Sequence, residues 1–248
     1  MFIETLLGIA LVIASACVFN NYIDRGIDKK MARTQKRALV TSQISGPAAI
    51  VYAAALGLIG FLILAVFVNW LVVALCGFAI FSYVVLYGWA KRNSVHGTLT
   101  GSLPGAIPPA AGYVAVTNHI DSASVILFLI LVFWQMPHFY AIAMYRFDDY
   151  KNAGLPVLPV KLGMRAAKFQ IMIYILLFLV ACAALNVFGY TGYIFLMAAI
   201  LLGGWWLWSG FSKFKDLNDK KWGRKMFFNS LIVNLGISLL IAVGALLP

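Results

Sequence analysis

Residues 46–68 read GPAAIVYAAALGLIGFLILAVFV and residues 70–90 read WLVVALCGFAIFSYVVLYGWA, with only Asn69 between the two runs. Neither run contains an Asp, Glu, Lys or Arg. Each is as long as the roughly 20 residues that an α-helix needs to cross a bilayer. A helix satisfies its backbone hydrogen bonds within itself, as lipid requires. This stretch therefore predicts two membrane-spanning helices joined by a very short turn.

The rest of the chain has a similar composition. Of its 248 residues, 63% are hydrophobic and only 11% are charged, whereas soluble domains carry about 25% charged residues. This excludes a soluble globular enzyme, a disordered chain and a disulfide scaffold. We predict an all-α protein, a polytopic transmembrane helical bundle that forms a single domain over residues 1–248. Its eight predicted spans are residues 3–22, 46–68, 70–90, 97–115, 123–144, 168–187, 191–211 and 226–247.

The basic residues indicate how these spans are oriented. All 19 Lys and Arg residues lie in four stretches, at 25–37, 91–92, 146–168 and 213–225. The connectors that alternate with them contain none. This is the positive-inside pattern, so the net charge of +11 sets topology and does not indicate binding to nucleic acid. We expect residues 23–45 and 145–167 in the cytoplasm and Pro248 on the opposite side.

Four of the eight acidic residues lie just beyond the inner ends of the first and fifth spans. Steps of four residues place Asn20, Asp24 and Asp28 on one helical face. There the carboxylates meet the negative end of the helix dipole, which is unfavourable unless a cation is bound. Such oxygen ligands suit Mg²⁺, so we predict a metal site from Asn20, Asp24, Asp28, Asp148 and Asp149. The alternative is that these aspartates are solvated loop residues that balance nearby lysines.

Basic side chains follow the first acidic group directly, as Arg33-Thr34-Gln35-Lys36-Arg37. Guanidinium groups bind phosphate oxygens through paired hydrogen bonds. Carboxylates for a metal, followed by arginines for phosphate, therefore predict a diphosphate site in which the arginines take up charge as the leaving group departs. The alternative is that these charges only set topology.

The run from Asn20 to Arg37, Asn-x-x-x-Asp-x-x-x-Asp followed by Arg-Thr-x-x-Arg, resembles the first signature of the UbiA family of intramembrane prenyltransferases. The resemblance covers essentially the whole chain. Within the family, the chain most resembles those members that farnesylate protohaem IX. Three further stretches carry that narrower resemblance: GSLPGAIPP at 101–109, WQMPHF at 134–139, and DDY at 148–150 followed by GLPVLPV at 154–160.

The resemblance implies transfer of a farnesyl group from farnesyl diphosphate to a vinyl group of haem b, giving haem O. Mg²⁺ is the implied cofactor, and haem b is a substrate rather than a cofactor. The implied location is the bacterial cytoplasmic (inner) membrane, with the active site facing the cytoplasm. The implied partners are farnesyl diphosphate, haem b and the lipid bilayer, with haem A synthase or terminal oxidase assembly factors as protein partners.

The same resemblance assigns roles to individual residues. The expected catalytic residues are Asp24, Asp28, Arg33, Arg37 and Asp149. The expected substrate-binding residues are Asn20, Asn21, Arg33, Lys36, Arg37, Gln135, His138, Tyr145, Arg146 and Lys161.

The chain departs from the family pattern in four respects. Family members have nine spans, so the eight predicted here imply an N-terminally incomplete domain that lacks the first. Gly26 and Ala38 stand where Asp and Pro are common. Tyr145 stands at the first acidic position of the second signature, which leaves open whether Asp148 or Asp149 binds the metal.

His138 lies about two turns before the inner end of the fifth span, with Gln135 on the same face. An imidazole at membrane depth indicates function, as a haem iron ligand or another contact to the acceptor. The alternative is a hydrogen bond between helices.

Two other functions remain open from the residues alone. A related prenyltransferase would use an aromatic quinone precursor as acceptor. A secondary transporter would contain a broken helix, and the fourth span holds Pro104, Pro108 and Pro109, which we expect to interrupt regular hydrogen bonding. Against the transporter, the acidic residues lie at the inner rim of the membrane rather than at its midplane.

Overall fold

The computed structural model describes residues 1–215 and 218–244, so the expectation for Pro248 and the end of the last predicted span lie outside the described residues. Within that part of the chain, all regular secondary structure is helical. A π-helical segment, Ser82–Tyr87, lies between two of the α-helices. The α-helices are α1 (Phe2–Asp28), α2 (Gly46–Phe67), α3 (Trp70–Phe81), α4 (Gly88–Asn93), α5 (Gly97–Thr117), α6 (Ser122–Tyr145), α7 (Phe147–Asn152), α8 (Leu158–Leu162), α9 (Met164–Val187), α10 (Tyr193–Phe211) and α11 (Asp219–Val243).

In the described part of the chain a helix lies in each of the eight predicted spans, and the predicted all-α membrane fold is confirmed. Seven helical stretches of the described chain are long and apolar enough to cross a membrane, with α3, the π-helical segment and α4 counting as one stretch, Trp70–Asn93. The remaining predicted span is α5, which has 21 residues but is not among the seven. Its glycine, threonine, serine and proline residues make it less hydrophobic than the others.

Residues Met1–Ile120 and Asp148–Pro156 form one compact unit, called unit 1 below. In it α1 packs along α2. A Cβ atom added at Gly60 would lie only 2.9 Å from the carbonyl oxygen of Gly8, so glycines let the two backbones approach closely. Ser15 Oγ also donates a hydrogen bond of 2.7 Å to the carbonyl of Ala53. These contacts fix the register of α1 and therefore the position of the acidic residues at its end.

The third span contains an irregularity that the sequence did not predict. After α3 ends at Phe81, the chain forms the π-helical segment Ser82–Tyr87 and only then returns to α-helix. π-helical turns are rare and occur frequently at functional sites. The rings of Tyr83 and Tyr87 stack with centroids 5.5 Å apart, and Lys91 Nζ lies 4.8 Å from the Tyr87 ring centroid. The irregular turn thus lies directly before the basic end of this span.

The helix of the fourth span is continuous, because α5 runs unbroken through Pro104, Pro108 and Pro109, although each proline lacks the N–H that would donate the regular hydrogen bond. The helix packs against α3 and the π-helical segment, and neighbouring helices of this kind make prolines tolerable within a membrane helix. Close packing is visible at Gly101, where an added Cβ would lie 2.8 Å from the Tyr87 ring. A broken helix of the transporter kind is therefore not found at these prolines.

Residues Asp121–Phe147 and the described residues of Val157–Pro248 form unit 2. Here α6 packs against α9 and α11, while α10 packs against α9 and α11. At Gly223 in α11 an added Cβ would lie 2.8 Å from Met144 Cβ, so α6 and α11 are in close contact near the end of α6. Buried Lys168 in α9 forms an ion pair of 2.8 Å with Asp219, which ties α9 to the start of α11.

Candidate active site

The acidic face of α1, which the four-residue spacing predicted, is buried in the structure. Asn20 and Asp24 are each 8% exposed and Asp28 is 5% exposed. A carboxylate removed from water is strongly destabilising unless it is paired and hydrogen-bonded. Two buried carboxylates at one helix end therefore require cationic partners, which the alternative of solvated loop residues would not.

The partners of Asp24 come from the end of the third span. Lys91 Nζ forms an ion pair with Asp24 Oδ2 and donates a hydrogen bond of 2.6 Å to Asn20 Oδ1. Arg92 Nη2 donates to Asp24 Oδ1 at 3.0 Å and to the carbonyl of Ile23, also at 3.0 Å. Both oxygens of the Asp24 carboxylate are thus occupied by cations.

The partner of Asp28 is Arg37, from the segment that follows α1. Its Nη1 atom donates hydrogen bonds of 2.8 Å both to Asp28 Oδ2 and to Asn21 Oδ1. The buried hydroxyl of Thr34 donates to the carbonyl of Asp28 at 3.0 Å, which satisfies one of the backbone acceptors left at the end of the helix. Thr34 therefore folds the segment back onto α1 and helps to bring Arg37 to Asp28.

The donor chemistry of this face fits Mg²⁺. Asn20, Asp24 and Asp28 offer only oxygen atoms, and Mg²⁺ is usually held by one or two carboxylates together with substrate phosphates and water. No group of three or more His, Cys, Asp or Glu side chains that could hold a metal is found in residues 1–215 and 218–244. The face therefore suits a metal that arrives with a phosphorylated substrate rather than a closed protein cage.

The second acidic group lies on α7, a helix of six residues that belongs, from Asp148 onward, to unit 1. Asp148 is exposed and Asp149 is half-buried. The Arg33 guanidinium carbon lies 5.8 Å from the ring centroid of Tyr150. Within this unit the structure thus brings α7 next to the segment that follows α1. Arg33 and Lys36 are both exposed.

His138 lies in unit 2, seven residues before the last residue of α6. Its Nδ1 atom is 2.8 Å from Ser230 Oγ, and that hydroxyl donates its single proton to the carbonyl of Phe227 at 2.5 Å. Ser230 Oγ must therefore accept from His138, so Nδ1 carries the imidazole proton. In the neutral ring this leaves the lone pair on Nε2, the form that binds metal ions.

The ring of His138 is held between aromatic side chains. Its centroid lies 4.8 Å from Trp134, in a stacked arrangement, and 4.9 Å from Phe227. Trp134 Nε1 donates to the backbone carbonyl of Ser230 at 2.8 Å. The expected alternative, a hydrogen bond between helices, is therefore also present, but it uses Nδ1 and leaves Nε2 for another role.

The other residues predicted for the substrate are spread along unit 2. Gln135 is buried, and its Nε2 atom donates to the carbonyl of Leu131 at 3.1 Å. Lys161 is exposed on the short helix α8. Tyr145 and Arg146, at the end of α6, line a pocket. Geometry does not assign them individual roles, so those roles stay predictions.

Sequence reasoning missed three residues of these two sites. The positive-inside pattern explains Lys91 and Arg92 only as topology signals. They are, however, the only Lys or Arg residues between positions 38 and 145. This isolated pair of cations is a sequence signal that could have indicated a role in the site. Ser230 gave no signal, because a serine in an apolar helix is common in membrane proteins. Only the three-dimensional contact shows that it fixes the tautomer of His138.

Comparison with known proteins places this arrangement in a family. A curated relative from Edwardsiella ictaluri (strain 93-146), named protoheme IX farnesyltransferase, is 47% identical over an alignment of 248 positions that covers 98% of this chain and 82% of the relative. Relatives of the same name from other organisms match to the same degree.

Solved structures share the fold at low sequence identity. The structure of digeranylgeranylglyceryl phosphate synthase aligns with a TM-score of 0.80 and 19% identity, covering 98% of this chain and 85% of that one. A UbiA homologue from Archaeoglobus fulgidus, bound to GPP and Mg²⁺, aligns with a TM-score of 0.68 and 16% identity, covering 98% and 88%. The model of the UbiA prenyltransferase family matches residues 1–232. The chain therefore belongs to the UbiA prenyltransferase family.

Proposed function

We propose that the protein transfers the farnesyl group of farnesyl diphosphate to a vinyl group of haem b and so produces haem O. Binding of farnesyl diphosphate is supported by the buried face of Asn20, Asp24 and Asp28. The side-chain oxygens of this face are paired with Lys91, Arg92 and Arg37. The choice of haem b as acceptor is supported by relatives at 47% identity that are named protoheme IX farnesyltransferase.

The acidic face would hold the metal through Asn20, Asp24 and Asp28, with Asp149 or Asp148 as a further ligand. Mg²⁺ held there would supply positive charge that stabilises the diphosphate leaving group. Lys91, Arg92 and Arg37, which pair with the carboxylates in this structure, would then donate to phosphate oxygens. The same cations thus stabilise buried acids without substrate and a diphosphate with it, and Arg33 and Lys36 add exposed positive charge.

The covalent change is balanced by substrate and water alone. The bond between farnesyl C1 and oxygen breaks, and the diphosphate leaves with the electron pair. The π electrons of the haem vinyl group form a bond to C1, which leaves a cation next to the porphyrin ring. Water adds to that cation and loses a proton, giving the hydroxyethylfarnesyl group. No covalent enzyme intermediate is required; apolar helices shelter the allylic cation from water until it reacts.

His138 is the residue that we assign to the acceptor. Its Nδ1–H donates to Ser230, so Nε2 presents a lone pair at a position surrounded by Trp134 and Phe227. A neutral imidazole whose second nitrogen is hydrogen-bonded is the usual form of a histidine that ligates iron. We assign Nε2 to the haem iron, which would hold the porphyrin while its vinyl group reacts.

The finer location is also part of this proposal. The protein is an integral membrane protein, and we place it in the bacterial inner membrane with the diphosphate site facing the cytoplasm. Positive residues concentrate in alternate connectors, which supports that orientation. Extracellular labelling of a cysteine introduced at Thr117 or Asp121 should succeed, and labelling only from the cytoplasm would contradict the topology. Haem A synthase or terminal oxidase assembly factors remain predicted partners.

The decisive experiment is incubation of the membrane-embedded chain with farnesyl diphosphate, haem b and Mg²⁺. We expect a product heavier than haem b by one farnesyl group and one hydroxyl group. A parallel reaction with 4-hydroxybenzoate tests the alternative acceptor class. Prenylation of 4-hydroxybenzoate but not of haem b would overturn the haem assignment, and no transfer to either would overturn prenyl transfer.

His138→Ala tests the division between the two substrates. Because His138 is assigned to the acceptor alone, the variant should weaken haem b binding while farnesyl diphosphate binding stays close to that of the parental chain. Both affinities can be measured on the purified protein in lipid nanodiscs, by haem absorbance and by radiolabelled farnesyl diphosphate. An equal loss of both would mark His138 as a residue of the scaffold.

A further inference from the structure

A pocket of about 530 Å³ lies in unit 2, where the end of α6 meets the first turns of α11. That volume is within the usual range for small-molecule sites, roughly 300–1,000 Å³. None of the residues that line it is acidic. Four of them carry positive charge: Arg146, Lys220, Lys221 and Arg224. The remaining three are aromatic: Tyr145, Phe227 and Phe228.

The local structure holds this pocket open and in shape. On α11, Lys220, Arg224 and Phe227 follow one another at spacings of four and three residues and so share a face. Beside that face, Gly223 lies so close to α6 that an added Cβ would be 2.8 Å from Met144 Cβ. Buried Trp222 donates from Nε1 to the carbonyl of Gly210 at 3.2 Å. The pocket residues of α11 are therefore positioned by close packing of α11 against α6 and α10.

Both arginines of the pocket lie over aromatic rings. The guanidinium carbon of Arg146 is 5.3 Å from the Tyr145 ring centroid, and that of Arg224 is 5.7 Å from the Phe228 centroid. Contacts of this kind orient a guanidinium group through its electrostatic attraction to the ring face. Asp219, which directly precedes the pocket residue Lys220, is paired with Lys168 at 2.8 Å. The arrangement suits a ligand that brings two negative groups, one for each arginine.

An aromatic path connects the pocket with His138. The Phe227 ring lies 5.6 Å from Tyr145 and 4.9 Å from His138, measured between centroids. His138 precedes Arg146 by eight residues, which is about 12 Å along a helix. A flat ring bound at His138 could therefore lie along Phe227 and extend its charged edge into the pocket.

We propose that this pocket binds the two propionate carboxylates of the haem acceptor, with Arg146 and Arg224 each holding one. Lys220 and Lys221 add positive charge at the rim. The proposal rests on the proposed function, because it takes haem b as the acceptor and His138 as its iron ligand. It adds a reason for the choice of acceptor: a planar macrocycle with carboxylates on one edge matches an aromatic path that ends in four cations.

Anionic phospholipid headgroups also bind basic pockets between membrane helices. Such a headgroup would bind to the four cations. It would not contact the aromatic path to His138, and it would not require two oriented guanidinium groups. We therefore favour the propionates and make the lipid an outcome of the test.

The test compares two acceptors that differ only in their carboxylates, haem b and haem b dimethyl ester, in the full chain embedded in nanodiscs of neutral lipid. For the parental chain we expect the KM of the diester to exceed that of haem b by about tenfold or more, the effect of losing charge-assisted hydrogen bonds. The Arg146→Gln/Arg224→Gln double variant should raise the KM of haem b to about that of the diester. The KM of the diester and that of farnesyl diphosphate should not change.

The matched control is Lys225→Gln, which removes the same charge from the residue after Arg224. Lys225 is exposed and does not line the pocket. The KM of the Lys225→Gln variant for haem b should therefore equal that of the parental chain. Retained turnover of the diester by the double variant shows at the same time that the variant is folded.

The outcomes distinguish failure of the propionate site from failure of farnesyl transfer to haem b. Parental turnover of haem b that is indifferent to esterification would overturn the propionate site and leave farnesyl transfer to haem intact. An equal loss of haem b and diester in the double variant would also overturn it. An effect that appears only when anionic phospholipid is added would assign the pocket to a lipid headgroup instead. No farnesylation of haem b by the parental chain would overturn the proposed function, and the propionate site with it.

Discussion

The two candidate sites solve opposite electrostatic problems. In unit 1 the fixed charges are two buried carboxylates, and each is paired with cations from other segments of the same unit. In unit 2 the pocket at the end of α6 is lined by four cations and three aromatic rings, and no acidic side chain lines it. Buried carboxylates thus define the first region, whereas cations and aromatic rings line the second.

This difference indicates what each region can receive. Paired acids release their cations only to a ligand that brings both positive and negative charge, such as a metal together with a diphosphate. A basic pocket with aromatic walls receives a preformed anion with a flat body. Variants that remove charge should accordingly have different consequences in the two regions, and the following experiments use that contrast.

The largest effect is expected when the acids of unit 1 lose their charge. Asp24→Asn and Asp28→Asn keep the shape of the side chain but remove the charge that would hold Mg²⁺, and we expect Asp149→Asn to act in the same way. Turnover should fall by at least ~10²-fold, the usual effect of losing one preorganised electrostatic partner. If metal affinity is the main loss, raising Mg²⁺ should partly rescue Asp24→Asn, because occupancy follows mass action.

The control for that series is Glu4→Gln, also on α1. Glu4 pairs with the N-terminal amine at 2.5 Å and does not belong to the acidic face. The turnover of the Glu4→Gln variant should therefore equal that of the parental chain at every Mg²⁺ concentration. Near-parental turnover of all three aspartate variants at low Mg²⁺ would show that the acids are not the metal site.

The next effect concerns Lys91, the cation that touches both Asn20 and Asp24. Lys91→Met keeps the apolar length of the side chain but leaves Asp24 with Arg92 alone and removes a phosphate donor. We expect turnover to fall by about 10- to 100-fold, the value of one hydrogen bond to a charged group. Saturating Mg²⁺ should not restore it, in contrast to Asp24→Asn. Rescue of both variants by Mg²⁺ would contradict separate roles for acid and cation.

Ser230 should have a smaller effect, and only through His138. Ser230→Ala removes the acceptor that keeps the proton on Nδ1, while the bond from Trp134 persists because it goes to the backbone. Loss of such an outer partner of a metal ligand lowers metal affinity by roughly tenfold or more. Haem b should therefore bind about tenfold more weakly, with an altered absorbance spectrum of the ferric haem. Metal-free protoporphyrin IX should bind both chains equally; a matching loss for it would indicate a packing defect instead.

Much of unit 1 could be predicted from the sequence, because its signals are periodic. The four-residue spacing of Asn20, Asp24 and Asp28 predicted a shared face, and the structure places all three on it and buries them. The unfavourable helix dipole predicted a bound metal cation at that end. The sequence could not show that Lys91 and Arg92 pair with Asp24 there, because a contact across 67 residues depends on how α1 and the third span pack.

Two other features depend on tertiary structure in the same way. The three prolines of α5 remove regular hydrogen bonds, yet α5 runs unbroken where it packs against α3 and the π-helical segment. The sequence did not predict the π-helical turn at Ser82–Tyr87. The tautomer of His138 depends on Ser230, 92 residues away. Motif spacing identifies which residues carry charge along one helix. It does not identify the partner that a second helix supplies.

The smallest effect is expected at Arg33, an exposed residue of unit 1 that separates charge from geometry. Arg33→Ala removes an exposed phosphate contact, so turnover should fall by about tenfold, near the lower limit for a hydrogen bond to a charged group. Arg33→Lys keeps the charge but loses the planar fork that binds two phosphate oxygens, so its defect should be intermediate, about threefold. Lys30→Ala, which removes one charge from the same exposed segment, is the control and should change turnover little. Turnover of the four chains is measured at saturating Mg²⁺, so that metal affinity does not contribute. Equal defects for Arg33→Ala and Lys30→Ala would show that this segment acts only through its total charge, and the directed contact to the diphosphate would be wrong.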